Sequence, residues 1–197
     1  MPHELSQEMI DEFVVAAHYD LPRIQAMLAE APDLLNENAK WIETPIQAAA
    51  HVGNQAIANF LLDQGAPLDI CTAAMLGKAE DVKAMLADDP DLAFATGAHG
   101  IPVLFYPAIT GHLEIAQMLL DAGTEVNIDD GKNSALHGAA LTGQTEMVRW
   151  LLDHDANPFA TDFEGKTPLD RAEANGHTEA AALLRPFFDA AAADEEA

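Results

Sequence analysis

Short apolar runs recur along the chain at helical spacing, and each run follows a turn and a stretch of small residues. In the clearest copy, the alanines at 48–50 precede a turn at Gly53, and Ile57, Phe60 and Leu61 then fall on one face of a helix. A helix with this spacing buries one stripe and leaves the opposite side polar. The pattern therefore predicts pairs of short helices joined by tight turns.

The turn position sets the period of the pattern. Its successive occurrences are 34, 24, 34, 32 and 33 residues apart, so four of the five intervals agree on one unit. A fixed period of this length predicts a stack of repeats, in which each unit buries its apolar face against its neighbours. Glycine suits the position because it adopts the left-handed conformation that ends a helix. The turn residues are Tyr19, Gly53, Gly77, Gly111, Gly143 and Gly176.

Three segments carry the most specific motif. Residues 44–53 read Thr-Pro-Ile-Gln-Ala-Ala-Ala-His-Val-Gly, residues 134–140 read Ser-Ala-Leu-His-Gly-Ala-Ala, and residues 167–172 read Thr-Pro-Leu-Asp-Arg-Ala. These segments resemble the ankyrin repeat. The resemblance implies units of two antiparallel helices and a projecting β-hairpin finger, with the Thr or Ser capping the first helix. It also implies that His137 hydrogen-bonds the neighbouring turn.

We expect an all-α repeat solenoid, an ankyrin stack, that forms one elongated domain. An N-terminal extension is expected at 1–12, the repeat domain at 13–188, and an acidic, disordered tail at 189–197. The six repeats are expected at about 13–38, 39–69, 70–97, 98–128, 129–161 and 162–188.

Two repeats depart from the pattern. After Asp69 the chain passes directly into Ile70, so the third repeat should lack its finger. In the fourth repeat, residues 105–107 read Phe-Tyr-Pro, which places a proline inside the first helix and predicts a shortened or distorted helix. Two explanations of this departure stay open: a functional site in the fourth repeat, or sequence drift that the neighbouring repeats tolerate. The missing finger, and the Pro-Asp-Leu shared by 32–34 and 90–92, lead us to expect a bacterial protein.

The chain is strongly acidic. Lys and Arg number 9 against 33 Asp and Glu, which gives a formal net charge of -24. Binding to nucleic acid needs a basic stripe that neutralises phosphates, so we expect no nucleic-acid partner. Two explanations of the acidity stay open: solubility of the exposed faces, or attraction of a basic partner.

Cellular location follows from what the sequence lacks. No apolar run approaches a membrane span, and the first residues show no basic region followed by an apolar core. Cys71 is the single cysteine, so no disulfide can form within the chain. We expect a monomeric cytoplasmic protein without a membrane partner.

No catalytic motif is present. The chain contains no Gly-x-Ser-x-Gly, no Gly-rich phosphate loop, no His-Glu-x-x-His and no cysteine pair. The turn at 129–133 lacks the spacing of a calcium loop and is expected to be a finger. His51 and His99 lie 48 residues apart, and we do not expect them to form a site. The sequence therefore predicts no enzyme activity, no cofactor and no metal ion.

The resemblance implies that a partner binds the concave surface formed by the finger tips and the exposed side of the first helices. Trp41, Tyr106 and Phe163 are of the residue types enriched at binding hot spots. Aliphatic residues such as Val52 and Leu141 can instead pack between repeats. The residues assigned to this surface are Trp41, Glu43, His51, Val52, Met75, Leu76, His99, Ile101, Tyr106, Ile109, Thr110, Asn133, Leu141 and Phe163.

Three functions are compatible with these features. The leading hypothesis is a protein-binding scaffold whose groove around repeats two to four takes an apolar segment with basic flanks. The alternative is an acidic inhibitor or antitoxin-like protein that masks a basic protein, in which case affinity should fall steeply with ionic strength. The third is a regulatory subunit of an enzyme. Repeat surfaces are generic, so the fold alone does not choose among them.

Overall fold

Twelve α-helices, arranged as six consecutive pairs, make up most of the computed structural model, which describes residues 5–127 and 131–195. Three short 3₁₀ segments lie in the connections, at Pro32–Asn36, Pro90–Phe94 and Ala98–Gly100. Each helix pair corresponds to one predicted repeat, which confirms the all-α solenoid. The helices are α1 (Gln7–Ala16), α2 (Leu21–Glu30), α3 (Pro45–His51), α4 (Gln55–Asp63), α5 (Ile70–Met75), α6 (Ala79–Asp88), α7 (Phe105–Thr110), α8 (Leu113–Asp121), α9 (Ala135–Thr142), α10 (Thr145–Asp153), α11 (Pro168–Ala174) and α12 (Thr178–Glu195).

The first helices of successive repeats pack side by side. Helix α1 contacts α3, and the contacts continue through α5, α7, α9 and α11. Alanines at these contacts are fully buried, including Ala49, Ala74, Ala108 and Ala139. Because an alanine side chain is a single methyl group, neighbouring helices approach closely without leaving voids. The buried side chains form one continuous core along the stack.

The first helices of three repeats begin at the predicted caps. Thr44, Ser134 and Thr167 each accept the backbone N–H of the residue three positions on, and each forms a reciprocal capping box. The ring of His137 continues this network, since its Nε2 lies 2.9 Å from the carbonyl oxygen of Lys166 in the next finger. The hydrogen bond from His137 to the neighbouring turn, which the resemblance to ankyrin repeats implies, is therefore present.

The third repeat lacks its finger, as predicted. Helix α4 ends at Asp63, and α5 already begins at Ile70. Asp69 takes the role that Thr or Ser plays elsewhere, because its Oδ1 accepts the N–H of Thr72 at 2.7 Å. The first helix thus keeps its cap although the finger is absent.

Replacing that cap tests its contribution. Asp69→Ala should lower the free energy of unfolding by about 1 kcal/mol, because the first-turn N–H groups lose their acceptor. Asp69→Asn is the matched control, since its amide oxygen can still accept the bond. Equal losses in both variants, measured by urea denaturation, would contradict the capping role.

The first helix of the fourth repeat, which was predicted to be shortened or distorted, is as long as α5 and one residue shorter than α3 and α11. Helix α7 has six residues against eight in α9, and no side chain caps it. Pro107 is its third residue, where the backbone N–H has no partner within the helix in any case. Tyr106 lies almost fully buried against the preceding finger, where a Cβ on Gly97 would stand 2.0 Å from its hydroxyl oxygen. Glycine at position 97 therefore leaves the space that the Tyr106 hydroxyl occupies.

The predicted N-terminal boundary falls inside a helix. Helix α1 begins at Gln7, and the Oγ of Ser6 caps it by accepting the N–H of Met9 at 3.2 Å. Residues 7–12 therefore belong to the first repeat rather than to an extension. The buried side chain of Ile10 ties this turn to the core.

The C-terminal residues 189–195 are helical, whereas the sequence predicted a disordered tail from residue 189. Helix α12 continues past Pro186 to Glu195, and the ring of Phe188 packs against Phe159 with centroids 4.9 Å apart. That contact anchors the helix beyond the proline. Within the described ranges, no helix is both long and apolar enough to cross a membrane.

Candidate functional site

A groove of about 930 Å³ lies between the first helices and the finger loops. Its lining comes from repeats two, four, five and six, and no described residue of the third repeat lines it. The sequence placed the groove around repeats two to four, so the actual groove extends further along the stack and bypasses the fingerless unit. Its larger apolar side chains are Val52, Ile101, Phe105, Ile109, Leu141 and Phe163.

Three apolar predicted contact residues line the groove with exposed side chains, and the exposed imidazole of His99 lines it as well. Val52 is 45% exposed, Leu141 is 39% exposed, and Phe163 at the tip of the sixth finger is 68% exposed. Asn133 also lines the groove and is partly buried. The neighbouring finger residues 128–130 lie outside the described part of the chain, so only residues 131–133 of the predicted turn at 129–133 are described.

Several other predicted contact residues are buried. Met75 and Tyr106 lie inside the helix stack and do not line the groove, so their assignment to the binding surface is wrong. Ile101 and Ile109 reach the groove but expose little of their surface. The physical reason is the close spacing of the first helices, which covers side chains that a single repeat would leave open.

Leu76 and Thr110 are partly buried, and neither lines the groove. The hydroxyl of Thr110 donates to the carbonyl oxygen of Met75 at 3.0 Å, which ties α7 to α5. Thr110 therefore holds these two helices together, and its predicted contact role stays a prediction.

One end of the groove holds a cluster of three histidines around a buried glutamate. Glu43 is 1% exposed. His51 Nδ1 lies 2.9 Å from its Oε1, His99 Nε2 lies 3.6 Å from the same oxygen, and His18 Nε2 lies 3.9 Å from its Oε2. The predicted surface residue Glu43 is thus the centre of a polar cluster, and it brings together His51 and His99, which the sequence analysis did not expect to form a site.

Trp41 also belongs to this cluster. Its indole N–H donates to Oε2 of Glu43 at 2.6 Å, and its side chain is partly buried. The sequence predicted an exposed aromatic anchor, but the hydrogen bond turns the ring toward the carboxylate. Trp41 therefore positions Glu43.

Each histidine is placed by a different local structure. His18 follows α1, and its Nδ1 lies 3.0 Å from the carbonyl oxygen of Val14, which leaves Nε2 directed at Glu43. His51 is the last residue of α3. His99 lies in the fourth finger with a φ of 57°, a left-handed conformation that is uncommon outside glycine. Strain of this kind concentrates at sites where the surrounding structure requires it.

The charge state of the cluster follows from its surroundings. Burial disfavours the charged form of Glu43, but the interaction with His51 and the Trp41 hydrogen bond outweigh burial and hold the Glu43 pKa below its ordinary value. Glu43 is therefore a carboxylate at neutral pH. A buried carboxylate that faces imidazole nitrogens can share a proton with them or coordinate a cation.

Sequence reasoning missed His18, although a signal was present. His18 and His51 are 33 residues apart, which is one repeat length, and such residues lie on neighbouring units. No comparable signal identifies His99. It reaches the cluster because the missing third finger lets the fourth finger contact α3 directly.

The other end of the groove is held by an ion-pair network in the sixth finger. Asp162 is 2% exposed and accepts the N–H groups of Glu164 at 2.9 Å and Lys166 at 3.0 Å. The Nε of Arg171 donates to Asp162 at 2.6 Å, and the same guanidinium pairs with Glu164 at 2.7 Å. These bonds fix the loop that carries Phe163.

Comparisons with known proteins agree with this architecture. The family model described as "Ankyrin repeats (many copies)" matches residues 119–172, and the model described as "Ankyrin repeat" matches residues 43–73. The chain is 30% identical over 192 residues to YahD of Escherichia coli (strain K12), which carries the name of an ankyrin repeat protein. That match covers 88% of this chain and 94% of YahD.

Other relatives match over a shorter length. The E3 ubiquitin-protein ligase hecd-1 of Caenorhabditis elegans is 37% identical over 91 residues, which is 46% of this chain and 3% of the ligase. Protein fem-1 homolog A-like of Mus musculus is 41% identical over 81 residues, which is 41% of this chain and 12% of the mouse protein. These similarities are confined to a small part of the larger proteins.

Proposed function

The chain belongs to the ankyrin repeat family, and we propose that it binds another protein through the groove between its first helices and fingers. Ankyrin repeats are general protein–protein interaction modules. The observation that carries the proposal is the set of exposed apolar side chains along this groove, at Val52, Leu141 and Phe163. Exposed apolar patches on a folded surface mark interaction sites. The proposal assigns a binding role rather than catalysis.

The groove suits an extended segment of a partner. Its apolar residues are distributed over repeats two, four, five and six, so a segment that lies along it can place its apolar side chains against these units in turn. The chain carries a formal net charge of -24, which favours basic residues on either side of the bound segment. We therefore propose an apolar segment with basic flanks as the occupant.

Charge placed in the groove tests this proposal. Peptides are selected from a displayed library on the immobilised protein, and the affinity of a selected peptide is measured by fluorescence anisotropy. Val52→Glu combined with Leu141→Glu should weaken binding by at least about 10-fold, because two apolar contacts are replaced by carboxylates.

A matched control comes from the opposite end of the stack. Val15 is 42% exposed and lies outside the groove, so Val15→Glu adds the same charge to a comparable valine elsewhere. Binding should be unchanged in this variant. Equal losses in both variants, or none in the groove variant, would place the binding surface elsewhere.

A second candidate function rests on an acidic face away from the groove. Helices α6 and α8 pack against each other, and their exposed acidic residues include Glu80, Asp88 and Glu114. Between Ala84 and Gly131 the chain has no Lys or Arg. This face has the charge needed to bind a basic protein and cover its surface.

Salt and charge reversal separate the two candidates. Binding to the acidic face should weaken steeply between low and high ionic strength, and Glu80→Lys with Glu114→Lys should abolish it. Binding in the groove should depend only weakly on salt and should survive both reversals.

A further inference from the structure

The cluster at the end of the groove brings together side chains of the types that bind metal ions. One ligand atom from each of His18, Glu43 and His51 lies within 4.8 Å of the others, and among the described residues only this group meets the geometric criterion for holding a metal ion. His99 adds a fourth nitrogen, 3.6 Å from Oε1 of Glu43. Three imidazoles and one carboxylate thus converge from repeats one, two and four.

Two atoms in the cluster lack a hydrogen-bond partner. Oε1 of Glu43 and Nδ1 of His51 are buried and 2.9 Å apart, but their alignment forms no hydrogen bond. Buried polar atoms of native proteins are nearly always paired. A cation between these two atoms would satisfy both.

The distances match the scale of a zinc site. Zinc binds imidazole nitrogen at about 2.0–2.1 Å in tetrahedral geometry, which places neighbouring ligand atoms about 3.3 Å apart. The nitrogens of His51 and His99 lie 2.9 and 3.6 Å from Oε1 of Glu43, distances that bracket that value, and the nitrogen of His18 lies 3.9 Å from Oε2. His18, Glu43 and His51 already meet the distance criterion for one centre, and His99 approaches it from the fourth finger through Oε1 of Glu43.

The surrounding hydrogen bonds are those that metal ligands usually have. The Nδ1 of His18 is held by the carbonyl oxygen of Val14 at 3.0 Å, which makes it the protonated nitrogen and leaves Nε2 free to coordinate. Trp41 fixes the carboxylate of Glu43 through Oε2. Such outer contacts orient metal ligands and select the coordinating nitrogen.

We propose that His18, Glu43, His51 and His99 bind a divalent transition-metal ion, zinc in preference to magnesium or calcium. The preference follows from the ligand set, because imidazole suits zinc whereas magnesium and calcium require oxygen ligands. The bound ion links the finger of repeat four to repeats one and two across the position of the missing third finger. It also fixes one end of the groove, since His51 and His99 line it.

The proposal revises the sequence expectation of no metal ion and does not depend on a protein partner. The test uses the full chain, freed of metal by a chelator and then titrated with zinc chloride by calorimetry. One zinc ion per chain should bind, the melting temperature should rise, and magnesium chloride should give no saturable signal. Cobalt(II) should give the intense visible absorption of tetrahedral coordination.

Variants locate the ion. His99→Ala should weaken zinc binding by at least about 10-fold, and the variant should still fold because the His99 side chain is half exposed. His51→Gln should weaken binding further. His154→Ala is the control, because His154 caps the C-terminus of α10 in repeat five, away from the cluster.

Two results overturn the proposal. One is the absence of saturable zinc binding to the folded wild-type chain, which would leave a cluster that shares a proton between carboxylate and imidazole. The other is zinc binding that His51→Gln and His99→Ala leave unchanged, which would place the ion on other surface groups.

Discussion

Asp162→Ala is expected to lower the free energy of unfolding by about 3 kcal/mol. The variant removes a nearly fully buried acceptor and leaves three donors without it: the N–H groups of Glu164 and Lys166, and the guanidinium of Arg171. Buried donors that lose a charged acceptor cost about 1–3 kcal/mol each in unfavourable cases, and relaxation of the loop toward water recovers part of this. Urea denaturation at neutral pH measures the loss.

The same carboxylate gives a pH dependence with a definite sign. Burial would raise the Asp162 pKa, but the hydrogen bonds from Lys166, Arg171 and Glu164 outweigh burial and hold the pKa below its ordinary value. A group with a lowered folded-state pKa stabilises the protein above its unfolded pKa of about 3.9, and this stabilisation is lost as the pH falls through the folded value. The difference in stability between wild type and Asp162→Asn should therefore shrink from pH 7 toward pH 3.

Asp63→Ala is the matched control, because Asp63 is an exposed aspartate at the end of α4. It should change stability by less than about 0.5 kcal/mol. If Asp162→Ala behaves like this control, the network does not hold the sixth finger. In that case Phe163 would have no fixed position at the groove.

Gly138→Val is expected to destabilise the chain by about 3 kcal/mol and to uncouple the two ends of the stack. A Cβ at Gly138 would stand 2.8 Å from Cγ2 of Ile109 and from Cε2 of Phe105, so a branched side chain forces α7 and α9 apart. Stability in a repeat stack is close to a sum of repeat and nearest-neighbour interface terms. Weakening one interface should therefore let the two sides unfold separately.

The two tryptophans of the chain report on the two sides. Trp41 lies in repeat two and Trp150 in α10 of repeat five, so Trp150→Phe and Trp41→Phe versions each leave a single fluorescent probe. The two probes should report the same urea midpoint of unfolding when residue 138 is glycine. In Gly138→Val they should report different midpoints. Ala182→Val adds the same side chain to an exposed position of α12 and should change neither transition. Coincident transitions in Gly138→Val would mean that the interface tolerates the extra volume.

The accuracy of the sequence predictions depended on how local each feature is. The turn glycines and the caps at Thr44, Ser134 and Thr167 act within a few residues, so their pattern predicted the helix pairs and the start of the first helices. The absence of the third finger was equally predictable, because one interval between turn residues is shorter than the others. The exposure of individual side chains was less predictable. Tyr106 was assigned to the binding surface, but it is buried because its hydroxyl packs against Gly97 in the loop before α7.

The sequence by itself determined the repeat architecture, the fingerless third unit and the acidity, because each of these is a local pattern or a count. Only the tertiary structure decided which side chains meet. Three histidines from repeats one, two and four surround Glu43, and the groove bypasses the third repeat. The physical reason is that stacking brings together groups as far apart in sequence as His18 and His99. The left-handed backbone of His99 and the burial of Glu43 arise only once those units are packed.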